Sequence, residues 1–135
     1  MELVCTLPLP PVELSPNRAS HQHFMLRSRA TKNSRFEAFV EFSKARMVTQ
    51  WTGDKRVEVD IEYRCHSKAR GYKPKDVVNA LSALKAYLDG MVDAKVVKND
   101  SAVWLKLGSV ALYTRAEDAP VKLRGPGVTF TVRAE

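Results

Sequence analysis

Two aspartates in the second half of the chain have the positions that a metal-dependent enzyme would need. Asp76 precedes a pattern typical of a helix, and Asp100 precedes one typical of a strand. An acid at a helix start and another at a strand start can meet around one divalent cation. Basic residues crowd the approach to the first acid, and these are Lys68, Arg70, Lys73 and Lys75. Carboxylates beside cations can hold Mg²⁺ against a phosphate backbone, so the pattern indicates a nuclease.

The charge balance also favours a polyanionic partner. The chain has a formal net charge of +7 and an isoelectric point near 9.6. A surplus of this size raises the odds of phosphate binding, mostly through non-specific attraction. The surplus is concentrated in two clusters, one from Arg18 to Arg35 and one leading into Asp76. Positive charge next to candidate metal ligands is a more specific signal than charge spread evenly.

Length and composition favour one folded domain spanning residues 1–135 and a cytoplasmic location. No run of about 18 apolar residues exists, so we expect no membrane span. Met1-Glu2 and the early prolines do not fit a secretory signal. Cys5 and Cys65 lie far apart without zinc-ligand spacing, which favours two reduced thiols over a zinc site.

The first half of the chain predicts a strand, a loop, a helix and a second strand. The first strand runs from Leu3 to Leu9, and the charged segment 12–32 is interpreted as an exposed loop. Ser34 and Glu37 have the spacing of a capping box, which predicts a helix beginning near Ser34. Its predicted core face consists of Phe36, Phe39, Val40 and Met47. The segment from Arg56 to Cys65 alternates as a half-buried strand does.

The second half predicts a helix and two further strands. The helix runs from Asp76 to about Val92, with a core stripe at Val77, Leu81, Leu84, Leu88 and Met91. Ala102 to Thr114 is interpreted as a long strand or hairpin with a bulge or turn at Gly108. Val128 to Arg133 alternates as a last strand. The order β-α-β-α-β-β predicts an α+β fold, a mixed sheet with two main helices packed on one face.

The polar face of the second helix has a structural explanation as well as a chemical one. The stripe at helical spacing consists of Val78, Ser82, Lys85, Asp89 and Asp93. All but the first are polar, so the stripe faces away from the core. A solvated face with one Lys85–Asp89 ion pair accounts for it without any catalysis. Asp76 has a structural role too, as the N-cap of the helix.

Four short segments, in order along the chain, resemble the RusA family of Holliday-junction resolvases, chiefly its phage members. Leu7-Pro8-Leu9-Pro10-Pro11, with Leu14-Ser15-Pro16-Asn17 after it, resembles the family's opening strand and loop. Lys73-Pro74-Lys75-Asp76-Val77-Val78-Asn79 resembles its Asp-x-Asp-Asn motif. The family's helix end is similar to Leu88-Asp89-Gly90-Met91-Val92-Asp93-Ala94. Its later aspartate turn is similar to Val97-Lys98-Asn99-Asp100-Ser101.

The resemblance implies a homodimer that cuts four-way DNA junctions symmetrically with Mg²⁺ or Mn²⁺. It implies no membrane and no small-molecule substrate. Asp76 matches the first essential acid, Asp100 the last, and Lys85 the supporting lysine. The implied metal ligands are Asp76, Asp100 and Asn79, and the reaction is in-line attack of water that leaves a 5′-phosphate. The residues expected to grip the junction are Arg18, His21, His23, Arg27, Arg29, Lys32, Lys68, Arg70, Lys73 and Lys75.

The chain departs from the family motif at Val78, where the second acid belongs. Loss of one of three carboxylates weakens Mg²⁺ binding and removes a group that could position water. Asp60 or Glu62 on the neighbouring strand is one possible substitute. A protein that binds junctions without cutting them is the main alternative function. A basic structural or RNA-associated protein, in which Asp76 is only a helix cap, is a third.

Overall fold

A four-stranded mixed sheet forms the centre of the protein, seen in a computed structural model that describes residues 1–16, 24–65, 70–114 and 125–135. The strands are β1 (Glu2–Leu7), β2 (Val57–Arg64), β3 (Leu105–Tyr113) and β4 (Gly127–Ala134). Their order in the sheet is β1-β4-β2-β3. β4 is antiparallel to both of its neighbours, whereas β2 and β3 are parallel.

The helices cover one face of this sheet. They are α1 (Phe24–Thr49), α2 (Val77–Ala83) and α3 (Lys85–Asp93), and a short 3-10 helix precedes them at Val12–Leu14. The inward residues of β2 are buried against them in one core, as the alternation in the sequence predicts. A parallel pair of strands needs a crossover connection, and α2 and α3 provide it between β2 and β3. The predicted single-domain α+β fold with a mixed sheet is therefore confirmed.

The predicted boundaries and core face of the first helix are wrong. α1 begins at Phe24 rather than near Ser34, which is buried inside the helix and is not its cap. Phe36 and Met47 are exposed by 66% and 79% instead of lying in the core. The buried residues of α1 are Ser34, Ala38 and Phe42. The hydrophobicity pattern misses this face because two of its three members are small.

A close contact between α1 and α3 explains why small residues line that face. An added Cβ at Gly90 in α3 would lie 2.6 Å from the Ala38 Cβ and 2.9 Å from the Phe39 nitrogen, and would also clash with the Arg35 carbonyl. The two helices approach so closely only because Gly90 has no side chain. The large side chains of Phe36 and Met47 lie on the exposed side of the helix, whereas Phe42 packs into the core.

Substitution of Gly90 by alanine is expected to destabilise the protein by about 1–3 kcal/mol, because overpacking of a helix contact costs that much. Helix propensity alone would favour alanine by about 1 kcal/mol. Loss of stability would therefore report the steric contact, and denaturant unfolding measures it. The exposed Ser82→Ala in α2 is the control, with an expected change within about 0.5 kcal/mol. Equal stability of both variants would contradict the close packing.

The predicted second helix is two helices with a break at Leu84. Leu84 has φ −92° and ψ −1°, and its N–H donates to the carbonyl of Leu81, three residues back rather than four as in an α-helix. The break makes the predicted core stripe only partly correct. Leu84 and Met91 are buried, but Val77 is exposed. The small residues Ala80, Ala83 and Ala86 are buried in addition.

The predicted irregularity at Gly108 is a bulge within a single strand, not a hairpin turn. Val59 pairs with Leu107 and Ile61 with Val110, so two residues of β3 lie opposite Asp60. The carboxylate of Asp60 accepts a hydrogen bond from the Ser109 N–H at 2.8 Å. An added Cβ at Gly108 would collide with Asp60, so glycine fits this position.

The two cysteines are unpaired thiols, as predicted. Cys5 and Cys65 are free and buried. Burial raises the pKa of the Cys5 thiol to about 12, with the charge of Glu41 adding to the effect. Burial also raises the pKa of the Cys65 thiol, so both thiols are poor nucleophiles. Among the helices of the described residues, none is long and apolar enough to cross a membrane.

Candidate functional site

The segment before Asp76 is fixed to the N-terminal part of the chain. The Tyr72 N–H donates to the Pro10 carbonyl at 2.7 Å, and the Tyr63 hydroxyl donates to the Tyr72 carbonyl at 2.7 Å. Burial raises the pKa of Tyr63, so its hydroxyl keeps the proton that it donates. Gly71 has φ +131° and packs against Leu9, a conformation and an approach that suit glycine. The residues just before the resolvase-like segment that begins at Lys73 thus contact the first such segment, at Leu9 and Pro10.

Asp76 caps α2, as predicted for its structural role. Its Oδ1 accepts from the Asn79 N–H at 2.8 Å, and its Oδ2 accepts from the Asn79 side-chain amide at 3.1 Å. A carboxylate has about four lone-pair positions, so both oxygens keep acceptor capacity beyond these bonds. Both residues lie at the surface, with Asp76 exposed and Asn79 half-buried. The structure thus brings together two of the three predicted metal ligands.

Lys85 joins two acids at the start of α3. Its ammonium nitrogen lies 2.9 Å from Asp89 Oδ1 and 2.6 Å from Asp100 Oδ2. Hydrogen bonds to Asp100 and then to Asp89 raise the pKa of Lys85. The same hydrogen bond lowers the pKa of Asp100. The predicted i,i+4 pair therefore exists, and the turn after α3 adds a third member that helical spacing alone does not predict.

The turn that carries Asp100 is shaped by its own polar groups. The Asn99 side chain accepts from the Ser101 N–H at 2.9 Å. The Ser101 carbonyl in turn accepts from the backbone N–H groups of Trp104 and Leu105. Lys98 lies over the Trp104 ring, 4.4 Å from its centroid. The turn leads directly into β3 and places Asp100 beside α3.

The contacts organise the candidate site as two separate groups. One is Asp76 with Asn79, and the other is Lys85 with Asp89 and Asp100. In the described parts of the chain, no three His, Cys, Asp or Glu side chains come together as a metal-binding group. Val78 is 73% exposed, so its side chain fills no core space.

The acids suggested as substitutes lie on the wrong face of the sheet. Glu62 and Asp60 alternate with the buried residues of β2, and the helices cover that buried face. Asp60 is also engaged by Arg133 at 2.6 Å. The Arg133 hydrogen bond, with the Ser109 N–H second, lowers the pKa of Asp60 to about 2. Asp60 and Glu62 are therefore not placed to replace an acid at the start of α2.

The predicted DNA-binding residues have three different placements. Arg70, Lys73 and Lys75 are exposed in the segment before Asp76. Arg29 and Lys32 are exposed on α1, whereas Arg27 donates to the Glu13 carbonyl at 2.8 Å and holds the 3-10 segment. The remaining four, Arg18, His21, His23 and Lys68, lie outside the described residues.

Sequence reasoning missed a bidentate ion pair between α1 and α3. Arg35 Nε lies 2.5 Å from Asp93 Oδ2, and Arg35 Nη2 lies 2.8 Å from Asp93 Oδ1. The Arg35 hydrogen bond lowers the pKa of Asp93. No local spacing relates residues 58 positions apart, so the sequence held no signal for this pair. The Lys98–Trp104 contact does have a signal in the sequence, because the basic residue lies six positions before the aromatic one, across a turn.

Substitution of Lys85 by methionine is expected to raise the pKa of Asp100. The ammonium stabilises the carboxylate, so its removal makes protonation easier and shifts the titration upward toward the ordinary carboxyl value of 3.8. NMR titration of the side-chain carboxyl carbons measures the shift. Arg35→Met is the control, because it should move the titration of Asp93 and leave Asp100 unchanged. An Asp100 titration that Lys85→Met does not move would contradict the ion pair.

Comparison of the chain with protein-family models gives no match, and comparison with curated proteins gives none either.

Proposed function

We propose that this protein is a metal-dependent endonuclease that cleaves branched DNA, with the four-way junction as its substrate. The observation that carries the proposal is the contact of Lys85 with Asp100. It joins the lysine and the last acid of the resolvase-like motif across the turn between α3 and β3. The resemblance assigns both residues to the catalytic site, whereas a solvated helix face predicts only the Lys85–Asp89 pair.

The charge distribution supports a nucleic-acid substrate. Exposed cations at Arg70, Lys73 and Lys75 lead directly to Asp76 at the head of α2. Lysine and arginine side chains at such positions can neutralise phosphates and orient a DNA backbone without reading its sequence. Binding should weaken steeply with salt for the same reason.

The residues at the site fit Mg²⁺ by the chemistry of their donors. Asp76 with Asn79 in one group, and Asp100 in the other, offer carboxylate and amide oxygens at the surface, and water could complete a shell of six oxygens if one ion were shared between the groups. Mg²⁺ or Mn²⁺ held there would supply an activated water and charge neutralisation on phosphate. Lys85 would position Asp100 through their hydrogen bond and stabilise negative charge on the scissile phosphate. Asn79 would hold the orientation of the Asp76 carboxylate.

A second candidate is a protein that binds branched DNA without cutting it. The specific observation in its favour is Val78, an exposed apolar residue where the family motif has an acid. The absence of a three-acid group within the described residues points the same way. Both candidates share the basic surface, and they differ in whether metal produces a product.

The test is incubation of the protein with a labelled synthetic four-way junction and a linear duplex of matching sequence. Each is given EDTA, Mg²⁺ or Mn²⁺ in parallel. We expect symmetric nicks with 5′-phosphate ends, in the junction only and with metal only. A junction that is shifted in a gel but uncut under all conditions would reject the nuclease and support the binder. Equal binding of junction and duplex would reject both.

A further inference from the structure

We infer that the open edge of β1 is a docking site for an extended segment of a partner protein, which adds a strand to the sheet. β1 is the first strand in the order β1-β4-β2-β3, so among the described residues it has a paired neighbour on one side only. Its six residues pair with β4 without a register shift, from Glu2 opposite Arg133 to Leu7 opposite Val128. A regular edge of this kind is what an added strand requires.

The ladder with β4 identifies which backbone groups lie along the open edge. The Ala134 N–H donates to the Met1 carbonyl at 3.2 Å, and the two residues continue the register in which Glu2 lies opposite Arg133. Hydrogen-bonded positions alternate along an antiparallel strand, so Leu3 also directs its N–H and C=O groups to β4. The N–H and C=O groups that face the open edge therefore belong to the alternate residues Glu2, Val4 and Thr6. No described residue forms a backbone hydrogen bond with these groups.

The edge strand on the other side of the sheet is less suited to this role. β3 has a bulge in which two of its residues lie opposite Asp60, and the Ser109 N–H donates to that carboxylate. A bulge interrupts the even spacing of the edge groups, and it is one way in which proteins protect an edge from pairing. Lys106 is exposed on the same strand, and lysine on an edge has the same effect. β1 is thus the more receptive of the two edges.

A groove beside β1 can receive side chains of the added strand. It has a volume of about 430 Å³ and lies between the strand and the second half of α1. Ala45 and Val48 of the helix line it. Val48 is 85% exposed, so apolar residues placed against it would remove apolar surface from water on both sides. Successive side chains of an extended peptide point to opposite faces, so every second residue would enter the groove.

The charge of the groove indicates the chemistry of the segment. Glu2 and Glu41 line it in a protein of formal net charge +7, and Lys44, which pairs with Glu41 at 3.2 Å, is the one base beside them. Burial, and then the charge of Glu41, raises the pKa of the Cys5 thiol and of Glu37, so its negative charge acts on both sides of the groove. Lysine or arginine in the partner would be attracted there. The segment that fits best carries basic residues among β-branched apolar ones.

The docking edge is separate from the proposed nuclease site. Asp100 lies in the turn that leads into β3, and β3 is three strands away from β1. At about 4.8 Å for each strand, the two edges are roughly 14 Å apart. Peptide binding does not depend on the proposed function. A protein that cuts no junction could still bind the segment, and an active nuclease could fail to bind it.

Fluorescence anisotropy tests the docking edge with a labelled peptide of six residues, the length of β1. The probe is Arg-Val-Lys-Val-Thr-Val with blocked ends. One control replaces both cations by glutamate, and the other replaces the second valine by proline. We expect saturable binding of the probe, binding of the acidic peptide weaker by about tenfold, and none of the proline peptide, which lacks an N–H for the ladder. Equal binding of all three, or no binding of the probe, would overturn the proposal.

Val4→Pro and Val4→Thr are matched variants of the edge. Proline removes the N–H that faces away from β4, and edge strands tolerate proline where that N–H is directed to solvent. Threonine keeps the N–H and favours strands as valine does. With unchanged circular dichroism spectra, we expect Val4→Pro to lose the probe and Val4→Thr to bind it as wild type does. Binding by both variants, or by neither, would count against the edge.

Hydrogen exchange followed by NMR tests the same edge in the unaltered protein. Without peptide, the amides of Val4 and Thr6 should exchange rapidly and those of Leu3 and Cys5 slowly, because only the second pair is directed to β4. The probe should slow exchange at Val4 and Thr6. Protection of β3 instead would show that the peptide binds elsewhere. Protection of Val4 that is present without peptide and lost on dilution would mean that a second copy covers the edge. Either result would overturn the proposal.

Discussion

Replacement of Asp100 by asparagine is expected to lower the rate of junction cleavage by about 10³-fold, or about 4 kcal/mol in the activation barrier. Asparagine keeps the shape of the side chain and loses its charge. The charge is what a divalent cation and Lys85 would both interact with. Junction binding should be equal or tighter, because a negative charge near the phosphates is removed. Single-turnover cleavage and gel-shift titration measure the two effects separately.

Asp93→Asn is the matched control for that variant. Asp93, like Asp100, is an exposed acid bound by a basic side chain, and its partner is Arg35 rather than Lys85. Exposed ion pairs contribute about 0–1 kcal/mol to stability, so both variants should fold. We expect Asp93→Asn to cleave at close to the wild-type rate. If the two variants cleave equally well, Asp100 is not part of the catalytic site.

The parts of the fold that the sequence predicts are those with local, alternating burial. Burial alternates in β2 from Val57 to Tyr63, so the sequence shows its inward face at Val57, Val59, Ile61 and Tyr63; the alternation ends at Arg64, which is also buried. Gly108 marks the bulge because glycine is needed where a Cβ would collide with Asp60. In both cases one position and its neighbours in the chain carry the information.

The sequence predicts the wrong core face for α1 because the largest apolar side chains of this helix are not the buried ones. The sequence pattern follows the largest side chains, which lie at Phe36 and Met47 on the outside. The core contact is made by Ser34 and Ala38 because α3 approaches closely at Gly90. Only the tertiary partner shows that small residues are the buried ones.

The candidate site likewise has contacts that the sequence predicts and one that it does not. The Asp76 cap and the Lys85–Asp89 pair follow from spacings of three and four residues, and the structure contains both. The Lys85–Asp100 contact spans 15 residues and a turn, so it depends on how α3 leads into β3. Residue spacing alone does not predict this contact. Only the resemblance to resolvases predicts that the two residues belong to one site.

Introduction of an acid at Val78 is expected to raise cleavage where metal is limiting. Aspartate there would add a third carboxylate beside Asp76, and hard divalent cations bind more tightly as the number of charged oxygen ligands rises. Val78 is largely exposed, so its apolar side chain gives up no core packing. An acid in the first turn of α2 also interacts favourably with the helix dipole, by about 0.3–1 kcal/mol. The gain should therefore come without loss of folding.

The Mg²⁺ concentration that gives half-maximal cleavage is the quantity to measure, and we expect Val78→Asp to lower it by about tenfold or more, equivalent to about 1.4 kcal/mol. Val77→Asp is the control, because it adds the same charge one position away, on a different side of α2. If wild type binds junctions without cutting them, Val78→Asp should create activity where there was none, and Val77→Asp should not. If both variants respond alike, added charge near the DNA is the cause and the acid missing at position 78 does not limit the site. A response confined to Val78→Asp would mean that the chain keeps a resolvase site lacking one ligand.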